Sequence, residues 1–402
     1  MSPDRSRPQP EPGSVAGDLP VREIPGDDPH AELLEAPALC LSGGGSRAML
    51  FHVGALWRMN ELGLLGKLGR VSSVSGGSIT AGVLATRWSR LAFDPASGVA
   101  SNFAEVVSAP IRRFATRSLD VRTAVRGLLP FGGGPAAALA DALGRHLYGD
   151  ATLQDLPPEP RFVINATNLQ SGVLWRFSRP YARDWRVGEI ANPTFRVATA
   201  VAASCAFPPF FAPLTLHVSP DQFVPGSSDP ELEDPRAYQH RVLLADGGVY
   251  DNLGLETVLK RCRTVFVSDG GGKIDDDPTP ATDWARGTLR VMKVIDNQVR
   301  DLRKRSLVEA YRRKVRVGAY WGLRSTLAEN PAPGTLPAPP DRTRGLAEMP
   351  TRLTSVPEER QRALINWGYA IADAAIRHWY VTPGVPGGFL PPPAFPCDGG
   401  VG

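Results

Sequence analysis

Serines, glycines and aspartates at the ends of short apolar runs are the residues of this chain whose types and spacing allow chemistry. Arg70-Val71-Ser72-Ser73-Val74-Ser75-Gly76-Gly77-Ser78 reads as a strand, a sharp turn and a helix beginning near Ser78. A serine on such a turn suits a nucleophile elbow, which holds the hydroxyl exposed above a sheet. Gly76 and Gly77 let the backbone fold back tightly and the next helix pack close. The usual elbow is Gly-x-Ser-x-Gly, and Ser73 stands at its first position. The plain alternative is a serine-rich helix start in which Ser75 or Ser78 is only an N-cap.

A second glycine cluster, Ser42-Gly43-Gly44-Gly45-Ser46-Arg47, follows the apolar run Pro37-Ala38-Leu39-Cys40-Leu41 and precedes a helical pattern. Glycines between a strand and a helix can turn several N–H groups toward one point, beside the positive helix end. Three enzymatic uses compete with a simple tight turn. A P-loop needs Gly-Lys-Ser/Thr at the helix start, which is missing here. A dinucleotide fingerprint is formally matched by Gly43, Gly45 and Ala48, yet the second strand ends in Ser73-Val74-Ser75 without the acid that holds a ribose. The third use is an oxyanion hole serving Ser75 from the adjacent strand end. Arg47 opposes the helix dipole in the first turn, which calls for a local partner such as a carboxylate or a substrate phosphate.

A serine nucleophile needs a base. The histidines are His30, His52, His146, His217, His240 and His378. In the Ser-acid-His order of many hydrolases only His378 comes late enough, and its apolar-patterned helix marks it as a packed structural histidine. His52 lies two turns past the glycine loop and reads as structural too. An aspartate could accept the proton directly. Two Asp-Gly-Gly sequences, at Asp246 and Asp269, end apolar runs, and their glycines permit close backbone approach.

The elements that must position these residues alternate between strands and helices. Strands are expected at 37–41, 71–74, 161–167, 242–245 and 264–268, with Val173–Phe177 pairing as a hairpin. Helices are expected after each glycine loop, near Asn252, and over Phe195–Ala206, Ala285–Tyr311 and Glu358–Trp379. Such alternation argues an α/β fold with a largely parallel central sheet, and open sheets of that kind place sites at strand C-terminal ends. Residues 92–160, with Pro95, Pro110, an arginine-rich stretch and Gly132-Gly133-Gly134, read as a helical insertion or cap. Residues 1–33 are expected to be disordered, 34–384 to form the domain, and 385–402 a flexible tail.

At 402 residues, 42% hydrophobic and 21% charged, the chain can bury a large core. A net charge of +4 without basic runs interleaved by aromatics gives no sign of nucleic acid. Cys40, Cys205, Cys262 and Cys397 have neither disulfide-framework nor metal spacing. Cys262, between Arg261 and Arg263, is the one candidate for a lowered thiol pKa. No signal peptide and no run of about 18 apolar residues is seen, so a cytoplasmic protein is expected.

Taken together, Ser42–Arg47, Ser73–Gly77 and Asp246-Gly247-Gly248-Val249-Tyr250-Asp251-Asn252 resemble the patatin-like phospholipase family. Ala166-Thr167-Asn168 and Ala203-Ser204-Cys205-Ala206-Phe207-Pro208-Pro209-Phe210 look like further blocks in the same order, and the resemblance spans about residues 36–270. It implies the family's three-layer α/β fold and a Ser-Asp dyad without histidine, needing no metal or organic cofactor. Ser75 would be the nucleophile and Asp246 the base. Gly43, Gly44, Gly45 and Ser46 would form the oxyanion loop with Arg47 in support. Ser73 and Ala48 stand where the family usually has glycine. The implied reaction is hydrolysis of acyl esters of a phospholipid or another lipid. An acyltransferase sharing the acyl-enzyme and a non-catalytic lipid- or nucleotide-binding protein remain as alternatives. Between Ile111 and Phe131, Arg112, Arg113, Arg117, Arg122 and Arg126 alternate with apolar residues, a pattern that could touch an anionic membrane or cap the core.

Overall fold

All four residues of strand β1 (Ala38–Leu41) are buried, and their alternation sets the layering. Leu39 and Leu41 join one apolar core, whereas Ala38 and Cys40 pack on the other face with Leu253, Leu255, Val258 and Leu307. A strand apolar on both faces must lie between two covering layers. The computed structural model describes residues 33–118, 134–208, 211–381 and 391–402.

After β1 come α1 (Gly45–Glu61), β2 (Arg70–Val74) and α2 (Gly76–Thr86). The inserted region supplies α3 (Ala109–Ala115) and α4 (Pro135–Leu143). Then follow β3 (Arg161–Asn168), β4 (Leu174–Phe177), β5 (Tyr181–Asp184), β6 (Gly188–Ala191), α5 (Val197–Ser204) and β7 (Leu214–His217). The last part holds β8 (Arg241–Asp246), α6 (Gly248–Asp251), β9 (Thr264–Asp269), α7 (Trp284–Arg312), β10 (Val317–Gly322), α8 (Pro340–Ala347) and α9 (Glu358–Trp379).

The sheet runs β10-β9-β1-β2-β3-β4-β5-β6. Its central part, β10 through β3, is parallel, as the alternation of elements predicts. The meander β4-β5-β6 and the β7–β8 pair are antiparallel. Helices α1, α2 and α9 cover one face, and α7 with residues 253–262 covers the other. Helices α1 and α9 meet at Gly54 and Gly368, where an added Cβ would collide with the backbone of Ile365 and Phe51 respectively. Near that crossing the fully buried Arg58 is paired with Asp373 at 2.8 Å, a charge that would be costly without its partner.

One register decides where chemistry can occur. Strand β3 gives one edge to β4 over Ile164–Thr167. Its other edge is taken first by β2, which runs parallel and ends with Val74 opposite Asn165. There β8 takes over, antiparallel, with Asp246 opposite Ala166. Two strands thus arrive end to end on neighbouring residues of β3. The residue after β2 is Ser75, and the last residue of β8 is Asp246.

Several expectations change. The helix expected near Asn252 is only the short α6. The Asp251 carboxylate accepts the N–H groups of Leu253 and Glu256, and Gly254 takes φ +70°, so the chain turns away. In α3 the apolar residues Ile111 and Phe114 are buried in the core and Arg112 pairs with Glu358, so that side caps the core and is not free for a membrane. The rest of that arginine-rich stretch, 119–133 with Arg122 and Arg126, lies outside the described residues, as do residues 1–32, Pro209, Phe210 and 382–390. Residues 391–402 of the expected flexible tail are docked. The Cys397 N–H donates to Asn366 Oδ1 at 3.0 Å, Arg58 donates to the Pro391 carbonyl at 2.7 Å, and Val401 is buried.

Candidate active site

Ser75 has φ 50° and ψ −122°, far from the regions an L-residue ordinarily adopts. Such a backbone costs roughly 1–3 kcal/mol and persists only when its surroundings hold it. Here they do. The Ser75 N–H donates to Ser204 Oγ at 2.9 Å, and its carbonyl accepts the N–H groups of Ser78 at 2.8 Å and Ile79 at 3.2 Å. Ser204 Oγ also meets Ser78 Oγ at 2.9 Å, and Ser78 Oγ donates to Ser73 Oγ at 3.0 Å. Ser73, where a glycine is usual, is therefore a buried member of a serine network, and its backbone is not among those with positive φ. The Ser75 side chain makes no capping bond to α2. Its residue is half-buried while its neighbours Val74, Gly76 and Gly77 are buried.

The glycine loop lies directly against this turn. A Cβ on Gly76 would collide with the Gly45 carbonyl, and one on Gly43 would lie 3.2 Å from Ser75 Cβ. Gly44 and Gly45 have φ 148° and 64°, conformations that favour glycine. The flanking N–H groups are used: Gly43 donates to the Asn252 carbonyl at 3.1 Å and Ser46 to the Arg352 carbonyl at 2.9 Å. Among the described residues, the N–H groups of Gly44, Gly45 and Gly76 have no acceptor. Three unpaired donors beside a serine hydroxyl are the equipment that a developing oxyanion requires.

Ser46 turns its hydroxyl away, to the Thr354 carbonyl at 3.0 Å. The Arg47 guanidinium donates to the carbonyls of Ala347, Met349 and Gly270 and to Thr351 Oγ1. Ala347 ends α8, where carbonyls lack helical partners. That cluster of carbonyls takes the place of the carboxylate or phosphate expected for Arg47. Burial lowers its pKa to about 10, which leaves it charged. Arg47 thus ties the start of α1 to the 347–351 loop, a positioning role with no contact to Ser75.

Asp246 is anchored on every side. Its N–H donates to the Ala206 carbonyl at 2.8 Å, its carbonyl accepts Thr167 Oγ1 at 2.8 Å, and Oδ1 accepts the Gly248 N–H at 2.7 Å. Residues 204–206, at the end of α5, therefore hold both partners: Ser204 grips the Ser75 amide and Ala206 grips that of Asp246. Burial pushes the Asp246 carboxyl up to about 7, against the hydrogen bonds from Gly248 and the Ser75 hydroxyl, with Asp296 adding to the rise. A buried carboxylate pushed toward neutrality, on which a neighbouring serine hydroxyl acts, has the properties of a general base.

Asp269 is built differently. Its Oδ1 accepts the Gly271 N–H at 2.9 Å, Oδ2 accepts the Tyr320 hydroxyl at 2.7 Å, and Arg300 stands 3.6 Å away. Burial would raise this carboxyl, but Arg300, Tyr320 and Gly271 outweigh it and hold it below its ordinary value. It is a paired anion with no contact to Ser75.

Neither His52 nor His378 is placed to serve Ser75. His52 is buried between Ser268 Oγ at 2.8 Å and the Ser42 carbonyl at 2.9 Å, and burial lowers its pKa to about 4. His378 is exposed on α9 against the Trp379 ring, and so is not the packed histidine its helix suggests. Cys262 is buried and its thiol is pushed up by burial, which outweighs Arg70, so it is not activated.

The family model for patatin-like phospholipases matches residues 39–259, more than half of the chain. The chain belongs to the patatin-like phospholipase family. The matched span of this patatin-like chain contains the glycine loop, the elbow and Asp246, and it stops short of Asp269. Among solved structures, human GIVD cytosolic phospholipase A2 matches with 13% identity and a TM-score of 0.46, over 86% of this chain and 60% of the human one. VipD from Legionella pneumophila matches with 16% identity and a TM-score of 0.34, over 86% of this chain and 67% of its own. The patatin-like chain thus spans about three fifths of the human enzyme's length. No curated protein matches the sequence.

Sequence reasoning set Ser75 and Asp246 beside their glycines but gave no role to Ser204, Thr167 or Asn165. Each lies in or next to a block noted for its likeness to the family. Their work is backbone support: Asn165 Nδ2 donates to the Ser73 carbonyl at 2.9 Å, just before the elbow. Only the strand register reveals that need.

Proposed function

We propose that the protein cleaves fatty-acyl esters of lipids through a Ser75–Asp246 dyad. The observation that carries this reading is Ser75 on a strained turn at the end of β2, its hydroxyl acting on the buried Asp246 carboxyl, which burial pushes up to about 7. Ser75 Oγ attacks the ester carbonyl while its proton passes to Asp246. The N–H groups of Gly44, Gly45 and Gly76 receive the negative charge on the carbonyl oxygen. Asp246 then protonates the departing alcohol, leaving the acyl group on Ser75. In the second half Asp246 takes a proton from water, the hydroxide attacks the acyl carbon, and the fatty acid departs as Ser75 regains its proton. The lipid as substrate rests on family membership. Residues 34–384 are taken as the catalytic domain.

The base works only when ionised, which fixes the pH dependence. With the Asp246 carboxyl at about 7, kcat/KM should rise about tenfold per pH unit on the acid side and level off above that value. An ordinary exposed carboxylate would level off near pH 4. The check is a profile of acyl release from pH 4.5 to 9 on several lipid classes, with buffer-exchanged controls for unfolding. A flat profile between pH 5 and 8 would remove Asp246 from the base role.

A further inference from the structure

Helix α7 is long, and its two halves behave differently. The second half is pinned to the body: Arg303 pairs with Glu256 at 2.9 Å, Leu307 is fully buried, and the Tyr311 hydroxyl donates to the Val265 carbonyl at 2.7 Å. From Trp284 to Leu302 the helix leaves large apolar side chains in solvent. Trp284 is 85% exposed, Val291 57%, Ile295 53% and Leu302 52%. Their spacing of 7, 4 and 7 residues puts all four on one stripe of the helix, roughly 27 Å long at 1.5 Å per residue. The pinned residues Asp296, Arg300, Arg303 and Leu307 lie on the side away from that stripe. From Asp296 to Leu307 it is the polar and charged side that packs on the body, while the apolar stripe stays outward.

The charge carried by the same segment indicates what it meets. From Trp284 to Ile295 the cations are Arg286, Arg290 and Lys293, and no acid interrupts them. An apolar stripe on one side of a helix and cations on the opposite, polar side, with a tryptophan at the stripe's end, is the pattern of a helix lying in the headgroup region of an anionic bilayer. It is also close to the site. Asp296, on the body-facing side, adds to the rise in the Asp246 pKa, and Arg300 reaches Asp269 and the Gly272 carbonyl.

We propose that the Trp284–Val291–Ile295–Leu302 stripe of α7, with Arg290 and Lys293 on the polar side of the same helix, docks the protein on anionic lipid bilayers. The proposal moves the membrane contact from the α3 segment, whose apolar side is buried, to α7, and it rests on the reading that the substrate is a lipid. A bilayer seated on the stripe would lie about one helix diameter, roughly 10–12 Å, from the body-facing side of α7 that carries Asp296 and Arg300.

The test separates docking from catalysis by measuring both on the full chain. Binding is followed by co-sedimentation with vesicles of phosphatidylglycerol and phosphatidylcholine, and with phosphatidylcholine alone. Turnover is followed on a short, water-soluble ester. The wild type should bind the anionic vesicles at least tenfold better than the neutral ones. Trp284→Ser/Val291→Ser/Ile295→Ser should lower binding by roughly thirtyfold or more. Arg290→Gln/Lys293→Gln should lower it by about tenfold at low salt, a difference that shrinks in 0.5 M salt. Both variants should keep their thermal midpoint and their turnover of the soluble ester, since every altered side chain is at the surface of α7. Wild-type binding to vesicles by the triple variant would overturn the proposal. So would a change from dimer to monomer in that variant without loss of vesicle binding, which would assign the stripe to a second copy. Equal loss of soluble-ester turnover would make the stripe part of the fold and overturn it as well. Vesicle binding through the stripe by a protein that cleaves no ester would uphold docking and defeat the dyad reading.

Discussion

Ser75→Ala should abolish acyl-ester hydrolysis, by on the order of 10⁴-fold or more, and leave the protein as stable as the wild type. The structure gives the reason for both halves. The Ser75 side chain caps nothing, so its hydroxyl contributes little to α2. Its backbone is held by Ser204 Oγ and by the N–H groups of Ser78 and Ile79, none of which the substitution removes. Alanine also has a Cβ, so the strain at φ 50° is unchanged. An N-cap serine would behave otherwise, costing about 1 kcal/mol of stability and no chemistry. The measurement is acyl release per folded molecule, with urea unfolding beside it. Activity retained in a stable variant would remove Ser75 as nucleophile.

Replacing each of the two Asp-Gly-Gly aspartates should give opposite results. Asp246→Asn should lower turnover by about 10³–10⁴-fold and stabilise the protein at alkaline pH. The folded carboxyl titrates near 7 and the unfolded one near 4. Between those values the folded state holds a proton that the unfolded state has released, so stability falls as pH rises through the window. Above pH 7 the full penalty applies, on the order of 4 kcal/mol. Asparagine has no charge to bury and can still accept the Gly248 N–H. Asp269→Asn should do the reverse. Its pKa is held low, so its contribution is present above the ordinary carboxylate range and lost as pH falls through the folded value. Removing the anion leaves Arg300 buried without its partner, at about 3 kcal/mol or more, while turnover per folded molecule stays within about tenfold. Urea midpoints at pH 5 and 8, with kcat for each variant, check both. A loss of turnover confined to Asp269→Asn would transfer the base there.

What could be read from the sequence was whatever a few neighbouring residues encode. The turn at Ser75 announces itself through Gly76 and Gly77, which must admit the Gly45 and Leu41 carbonyls, and the loop beside it through three glycines of which two need positive φ. The long helices α7 and α9 follow from their apolar periods. The choice of Asp246 over Asp269 rested on the residues that follow each, because nothing local distinguishes two aspartates at strand ends. Their environments do so only once Arg300 and Tyr320, more than thirty residues beyond Asp269, fold back onto it. The same holds for Ser204, whose hydroxyl matters because α5 ends where β2 and β8 converge on β3. Arg47 was misread in its partner because carbonyl oxygens leave no mark in a sequence. The stripe on α7 escaped for a related reason: its period is plain, but periodicity alone does not say which face of a helix the body covers.

The central claim is that Ser75 becomes acylated with Asp246 as its base, and a fluorophosphonate probe reports on that directly. Wild-type protein should take up one phosphonyl group, mapped by peptide mass to Ser75, with the rate of labelling rising with pH through about 7. Asp246→Asn should label far more slowly at every pH, and Ser75→Ala not at all. A folded wild type that takes up no label, or a label carried by Ser78 or Ser204 in place of Ser75, would contradict it.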